Sequence, residues 1–273
     1  MSEINNVVVV SDTHSGCRLA LCPPEIVLDD GGTYHHSPLQ AKIWGMWQEF
    51  WGDFVPSATK HEPFVIVLNG DGLDGQPHQS KTPISLNVAD QMNICEACLR
   101  PYIQGAEALY WIRGTEAHVG KSAENEELIA KRLDAKPNTQ GMYARYDLWK
   151  KVDDRLVHIL HHIGTTTSQA YESTALHKEL TESYIEAARW GHQPPAVIVR
   201  SHRHRHFETK ISTSLGHAIA VVTPGWQGKT PFMWRIAGAR LSTPQFGGIV
   251  VRVAHDEMFV REKVWTVEHS EAE

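Results

Sequence analysis

Five short apolar runs in this chain each give way, within a few residues, to side chains of the kind that hold metal ions. Val7-Val8-Val9-Val10 leads to Asp12 and His14, and Phe64-Val65-Ile66-Val67-Leu68 leads to Asp71. Leu109-Tyr110-Trp111-Ile112 leads to Glu116 and His118, Leu156-Val157-His158-Ile159-Leu160 to His161 and His162, and Val197-Ile198-Val199 to His202 and His204. Aliphatic runs without polar alternation predict strands buried on both faces, as in a parallel sheet covered by helices. Parallel strands bring their carboxyl ends to one edge, where open α/β sheets place their ligands. One Asp-x-His after a strand is equally well a solvated turn. Five such endings in succession need a common cause, and convergence of these side chains in space is the simplest.

The segments between the runs predict helices. Ile43, Trp47, Phe50, Trp51 and Phe54 fall at three- and four-residue steps between Leu39 and Val55, a spacing that predicts one helix with an aromatic core stripe. Trp44 and Trp51 leave a substrate wall or a homo-oligomeric face open as a second reading. Ile84 to Gln104, Glu124 to Leu133 and Tyr171 to Trp190 read as further helices, the last ended by Gly191 and Pro194-Pro195. Residues 17–38 are rich in Pro, Gly, Asp and His and predict a long loop, a candidate flap over the site. After His204 the chain becomes strand-rich over 205–267, with Ile219 to Val222 as a strand and a closing hairpin from Gly247 to Val267 turning at His255-Asp256-Glu257. Helices alternating with strands, followed by a strand-rich half without a linker, predict one domain over 1–273, an α/β sandwich of two sheets between helices.

Composition narrows the partners. The formal charge of −6, from 26 basic and 32 acidic residues, argues against sequence-independent clamping on long nucleic acid, which needs a basic face. No apolar stretch approaches the ~20 residues of a bilayer span, and Met1 is not followed by a signal-peptide pattern, so a soluble, cytoplasmic protein without a membrane partner is expected. Cys95-x-x-Cys98 lies in a segment of helical period, and Cys17 and Cys22 have the wrong spacing to complete a zinc site, so all four are expected as free thiols. Histidine is the unusual component, with 17 residues in clusters.

Carboxylate and imidazole together suit Mn²⁺, Fe, Zn²⁺, Co or Ni better than Mg²⁺. The number of candidates fits two divalent ions, with Mn²⁺ the first expectation. Two ions ~3.5–4 Å apart require a bridging ligand, for which Asp71 is the natural residue. Gly70 and Gly72 beside it, and Gly114 before Thr115, allow close backbone approach.

In block order the residues resemble the calcineurin-like metallophosphoesterases, whose pattern is Asp-x-His, Gly-Asp, Gly-Asn-His-Asp/Glu, a strand-end His and Gly-His-x-His. The matching stretches are Asp12-Thr13-His14, Gly70-Asp71, Gly114-Thr115-Glu116-Ala117-His118, His161-His162 and Ser201-His202-Arg203-His204, from Val7 to His204. The resemblance implies a four-layered α/β/β/α fold and a two-metal phosphoester hydrolase in which metal-activated hydroxide attacks in line. It implies Asp12, His14 and His204 on one ion, Asp71 bridging, and His161, in preference to His162, with His202 on the other. The third block departs from the pattern: Thr115 stands where asparagine is usual, and histidine comes only at 118. Glu116 is therefore expected to supply the missing oxygen ligand, and His118 to act as the catalytic histidine. Ser201 replaces the usual glycine.

Arg205 and His206 follow the last ligand pair, and Thr223 to Phe232 forms a Gly/Pro-shaped loop with Trp226 and Lys229. These four are the expected substrate-binding residues, a ring and a cation suiting a nucleotide base and phosphate; Trp226 filling a core gap is the alternative. The expected reaction is hydrolysis of phosphodiesters of nucleotides or nucleic-acid ends. The alternatives are a protein or nucleotide phosphomonoesterase, or a metal-bound binding protein with weakened catalysis.

Overall fold

A computed structural model describes residues 5–77, 80–120, 122–164, 168–214, 216–236, 240, 242–254 and 257–267. In chain order it contains β1 (Asn6–Val10), the small hairpin β2 (Glu25–Val27) and β3 (Thr33–His35), α1 (Pro38–Glu49), a π-helical turn at Phe50–Phe54, and α2 (Val55–Thr59). There follow β4 (Phe64–Asn69), α3 (Val88–Ile103), β5 (Ala108–Ile112), α4 (Glu116–Val119), α5 (Glu124–Arg132), β6 (Ala144–Arg145), β7 (Asp147–Val152) and β8 (Arg155–Leu160). The last part comprises α6 (Glu172–Trp190), β9 (Val197–Arg200), β10 (Phe207–Thr213), β11 (Gly216–Val222), β12 (Gln245–Ala254) and β13 (Glu257–Thr266).

Two mixed sheets result. The first has the order β13-β12-β1-β4-β5-β6, with β1, β4, β5 and β6 parallel. The second has the order β10-β11-β9-β8-β7, with β8, β9 and β11 parallel. Alternation along each strand explains the layering. Val7, Val9, Val65 and Val67 pack against Val157, Ile159, Val197 and Val199 between the sheets. Val8, Val10, Ile66 and Leu68 face the other way, into the core formed with α1, α3 and α5. Leu176 and Leu180 of α6 cover the outer face of the second sheet on Ile198, Ala220 and Val222. The fold is thus the expected α/β/β/α sandwich of four layers, and the uniformly apolar runs are explained because both of their faces are covered.

Several elements differ from expectation. The aromatic helix breaks its α-hydrogen bonding at Phe50–Phe54 and extends to Thr59. Its stripe is core: Ile43, Trp47, Phe50 and Trp51 are buried, and the Trp51 ring stacks on Tyr102 at 4.8 Å. The stretch 17–38 supplies core residues, Cys17, Ala20, Leu21 and Cys22 being fully buried, and its remainder holds the β2–β3 hairpin. The strand β6 is only two residues long, because the chain crosses there to the second sheet and continues as β7. The strand β10 was not legible, since its edge position leaves a half-exposed mixture, Phe-Glu-Thr-Lys-Ile-Ser-Thr. His255 and Asp256, in the expected final turn, lie outside the described residues. No helix among the described residues is long and apolar enough to cross a membrane.

Candidate metal centre

The carboxyl ends of β1, β4, β5, β8 and β9 meet at one edge of the sandwich. Two groups of donor atoms form there, each with its atoms within 4.8 Å of one another: Asp12, His14 and His204 in one, and Asp12, Asp71, His161 and His202 in the other. A third set, His14, Asp71 and His118, overlaps both. Asp12 is thus the carboxylate common to the first two groups, whereas Asp71 joins the second and third. Each of the first two groups draws donors from both sheets.

Local backbone geometry aims these side chains. Asp12, His14, Asp71, His202 and His204 all have left-handed φ, between 40° and 74°. That conformation costs of order 1–3 kcal/mol at a non-glycine residue and persists where the surroundings enforce it. The enforcing contacts are visible: the amides of Asp12 and His14 donate to the carbonyls of Gly70 and Asp71, both at 3.0 Å, and that of Trp226 to Asp12 at 2.9 Å. Beneath the donors, buried side chains tie strand ends of the two sheets together. Ser11 Oγ lies 2.7 Å from Thr223 Oγ1, which lies 2.7 Å from Ser201 Oγ, which accepts from Asn69 Nδ2 at 2.6 Å. Ser201 links Thr223 to Asn69 within that chain.

Imidazole orientation is fixed from behind. His161 Nδ1 donates to the Asn69 carbonyl at 2.6 Å, turning Nε2 toward Asp71 Oδ2 at 3.1 Å. Asp74, fully buried, lies 3.5 Å from His14 Nδ1 and accepts from Gln227 Nε2 at 3.2 Å. Its carbonyl accepts from His118 Nδ1 at 2.7 Å, and the His118 ring meets that of His14 edge-on at 4.4 Å. Glu126, also buried, accepts from the amides of Gly72 at 3.2 Å and Gly114 at 2.7 Å, clamping the loops after β4 and β5. Glu126 and Gln227 lie outside the strand-end pattern and were not legible as site residues, whereas Asp74 shares the strand-end stretch of Asp71 and carries the same signal.

The electrostatics fit a cation. Burial opposes ionisation of Asp12, but the rings of His204 and His161 hold its carboxyl below the ordinary range. Burial acts likewise on Asp71, and His161 keeps it well below. Burial disfavours a charged His161, yet Asp71 and Asp12 hold its pKa up at about 10. His14 is pushed down by burial and by His118. Protons on histidine thus balance the buried carboxylates, the role a divalent ion would take over. Polar atoms left unpaired support the fit: beside the His14 Nε2–His204 Nε2 hydrogen bond of 3.2 Å, Asp12 Oδ1, His14 Nδ1, His204 Nδ1 and Asp74 Oδ2 are buried without a hydrogen-bond partner.

Other expected residues are placed differently. Glu116 is exposed and belongs to none of the three groups. The chain turns into α4 at that residue, so its side chain leaves the sheet edge. Thr115, the residue before, faces inward: its hydroxyl lies 3.1 Å from Asp71 Oδ2, 3.1 Å from His202 Nδ1 and 3.4 Å from His161 Nε2. His162 is exposed, its ring 5.0 Å from that of His161. Trp226 is fully buried, packed edge-on to Trp47 at 4.7 Å, and is core rather than a substrate surface. Lys229 donates to the carbonyls of Arg240 and Ser242 and covers the face of Trp234 at 3.6 Å. His206 is held by the Val222 carbonyl at 3.0 Å. Neither Lys229 nor His206 reaches the cleft; Arg205 does, paired with Glu172 at 3.3 Å.

That cleft, of about 740 Å³, has His14, Asp71, His118, His202 and His204 in its floor. Lys81, Arg203, Arg205 and Arg235 stand along its sides, with Ile163, Phe232, Met233 and Ile236 as apolar wall. The four cysteines are buried free thiols, none of them lining the cleft, and burial pushes Cys95 up to about 12.

Among solved structures the chain is similar to Vps29 from Cryptosporidium parvum (10% identity over 96% of this chain and 98% of that one, TM-score 0.37). It is also similar to a Vps29 double mutant from Entamoeba histolytica (11%, 95% and 99%, TM-score 0.38) and to the sulfate thiohydrolase SoxB of Thermus thermophilus (9%, 96% and 56%, TM-score 0.38). Similarity at this level bears on neither the site nor its chemistry. No protein-family model matches the sequence, and no curated protein does.

Proposed function

We propose that this chain is a dinuclear metal-dependent phosphoesterase that hydrolyses phosphodiesters of nucleotides or nucleic-acid ends. The observation that carries the reading is the pair of carboxylate–imidazole groups sharing Asp12 on the floor of a cation-edged cleft. Asp12, His14 and His204 would hold one ion, and Asp12, Asp71, His161 and His202 the other; a mixed carboxylate and imidazole set suits Mn²⁺, Fe, Zn²⁺, Co or Ni, and Mn²⁺ is the ion proposed. When bound, such ions supply Lewis acidity toward phosphoryl oxygens and lower the pKa of water. The chain's own residues do the rest. Arg205 and Arg203 offer cations to the phosphate in the cleft. His118, with Nδ1 committed to the Asp74 carbonyl, presents Nε2 as the atom that can carry a proton to the leaving oxygen. Asp74, held by Gln227, lies 3.5 Å behind the His14 ring, and Glu126 fixes the loops carrying Asp71 and Thr115. No serine or cysteine nucleophile is needed. Acidic net charge and a cleft of organic-molecule size favour a small or end-bound diester. Reduced, buried cysteines suit a cytoplasmic setting.

The test is turnover of bis-p-nitrophenyl phosphate against p-nitrophenyl phosphate by the Mn²⁺-supplied protein, with Asp12→Asn alongside. Diester turnover at least about tenfold above monoester, lost in the variant, is expected. Monoester preference would replace the reading by a phosphatase, and no turnover of either with metal bound would replace it by a metal-loaded binding protein.

A further inference from the structure

The charges lining the cleft are unevenly matched. Outside the donor groups, Lys81, Arg203, Arg205 and Arg235 stand against the carboxylates of Asp74 and Glu172. Glu172 is paired with Arg205 at 3.3 Å, and Asp74 is buried behind His14. Arg203 donates to the Gly164 carbonyl and lies over the Phe207 ring at 5.7 Å. Lys81 and Arg235 are left, both exposed and with no ion pair or side-chain hydrogen bond among the described residues. A lone exposed lysine is ordinarily a solvated side chain. Two cations without counter-charges, lining the same cleft as Arg203 and Arg205 in a chain of net charge −6, instead raise the potential of that cleft toward anions. Their backbones are fastened although their side chains are free. On either side of Lys81, Ser80 Oγ lies 2.6 Å from Thr82 Oγ1, and the Thr82 carbonyl accepts from the Arg18 amide at 2.9 Å. The Arg235 amide donates to the Phe232 carbonyl at 3.0 Å, and the neighbouring Trp234 ring is covered by Lys229. Cations presented from held backbone lose less freedom on meeting a ligand.

We infer that Lys81 and Arg235 form a second phosphate subsite, for a phosphate of the substrate other than the one seated on the donor groups. The inference rests on the phosphoesterase reading and deepens it: the preferred substrates carry two or more phosphates. Arg203 and Arg205 adjoin His204 in the chain and serve the phosphate on the floor, whereas Lys81 and Arg235 come from separate loops after β4 and β11. A guanidinium meets two phosphate oxygens in parallel and an ammonium acts as a point charge, so the pair suits a phosphate group. The cleft, at about 740 Å³, has room for a second phosphate and the sugar between. Two substrate classes share this chemistry: a nucleic-acid end, whose next phosphate lies one sugar away, and a nucleoside polyphosphate, whose phosphates are joined directly.

Calorimetric binding of three ligands to the Mn²⁺-loaded protein, freed of excess ion, tests this without requiring turnover: adenosine 5′-monophosphate, adenosine 3′,5′-bisphosphate and adenosine 5′-diphosphate. Metal content measured after each titration confirms that the ions stay in place. At least one of the two doubly phosphorylated ligands is expected to bind at least about tenfold tighter than the monophosphate. A gap for the 3′,5′-bisphosphate identifies a nucleic-acid end as the source of the second phosphate, and a gap for the diphosphate identifies a polyphosphate chain. In the double variant Lys81→Ala/Arg235→Ala, at exposed positions outside the donor groups, the gap should fall below about threefold. It should survive in Lys178→Ala/Arg189→Ala, which removes the same charge from exposed positions of α6. Equal binding of the three ligands by the unaltered protein, a gap that survives Lys81→Ala/Arg235→Ala, or a gap lost equally in both double variants overturns the inference while leaving the phosphoesterase reading intact. Failure of the metal-loaded protein to bind any of the three overturns that reading itself, and the inference with it.

Discussion

Asp12 is the residue on which both donor groups depend, since its carboxylate belongs to each. Removing it should therefore cost more than removing a ligand of one group. By elemental analysis, His202→Ala is expected to retain the ion held by Asp12, His14 and His204, and Asp12→Asn neither ion; equal losses would mean that Asp12 is not shared. A second residue-scale prediction concerns His158, away from the centre. Its ring stacks on Trp149 at 4.2 Å and lies 3.5 Å from Asp147 Oδ2. Burial, and then repulsion from Arg200, push its pKa down to about 4. A histidine depressed on folding contributes stability that is present above its unfolded value near 6.5 and is lost as pH falls through 4. The loss amounts to roughly 3 kcal/mol. His158→Phe keeps a ring on Trp149 and removes the titration. Urea melts should show the unaltered protein losing more stability than the variant between pH 7 and 4, and parallel losses would refute the assignment.

At the scale of elements, the loops after β4 and β5 are packed so closely that glycine is required for space. A Cβ on Gly114 would lie 2.1 Å from Asp71 Oδ1 and 2.2 Å from Asp71 N. Gly114→Ala should cost on the order of 3 kcal/mol and weaken metal binding together with stability. Gly45, exposed within α1 with nothing within 4 Å of its would-be Cβ, should respond to the same change by gaining about 0.5–1 kcal/mol; denaturant midpoints compare the two. The contrast also shows what sequence could reveal. Strands such as Val7–Val10 and Phe64–Leu68 were legible because burial on both faces leaves no polar alternation, and the strand-end Asp and His residues because they recur. Thr115 facing inward, with Glu116 turned away, was not legible, since it depends on where the single turn of α4 begins. The fate of Trp226 depends on packing against Trp47, nearly 180 positions earlier, about which local pattern is silent. Glu126 bears no mark in the sequence; only its burial behind the loop glycines gives it a role.

At the scale of the molecule, each of the two donor groups draws on both sheets: Asp12 and His14 with His204 in one, Asp12 and Asp71 with His161 and His202 in the other. Ion binding is thus coupled to the docking of one sheet on the other. A ligand at a hundred times its Kd stabilises by about 2.7 kcal/mol, which for a chain of this size raises Tm by roughly 5–10 °C per ion. Chelation should lower Tm by that amount and Mn²⁺ should restore it in differential scanning calorimetry; an unchanged Tm would mean that the groups hold no ion in the native state. The same cross-sheet arrangement makes metal loading an inspection of assembly. A nascent chain offers the early donors, Asp12, His14 and Asp71, long before His161, His202 and His204 have been made. Any ion caught by those three alone is held by an incomplete set and can be released. With ions in both groups, retention would begin only when the second sheet has closed over the first, so a chain arrested half-built would carry no durable metal.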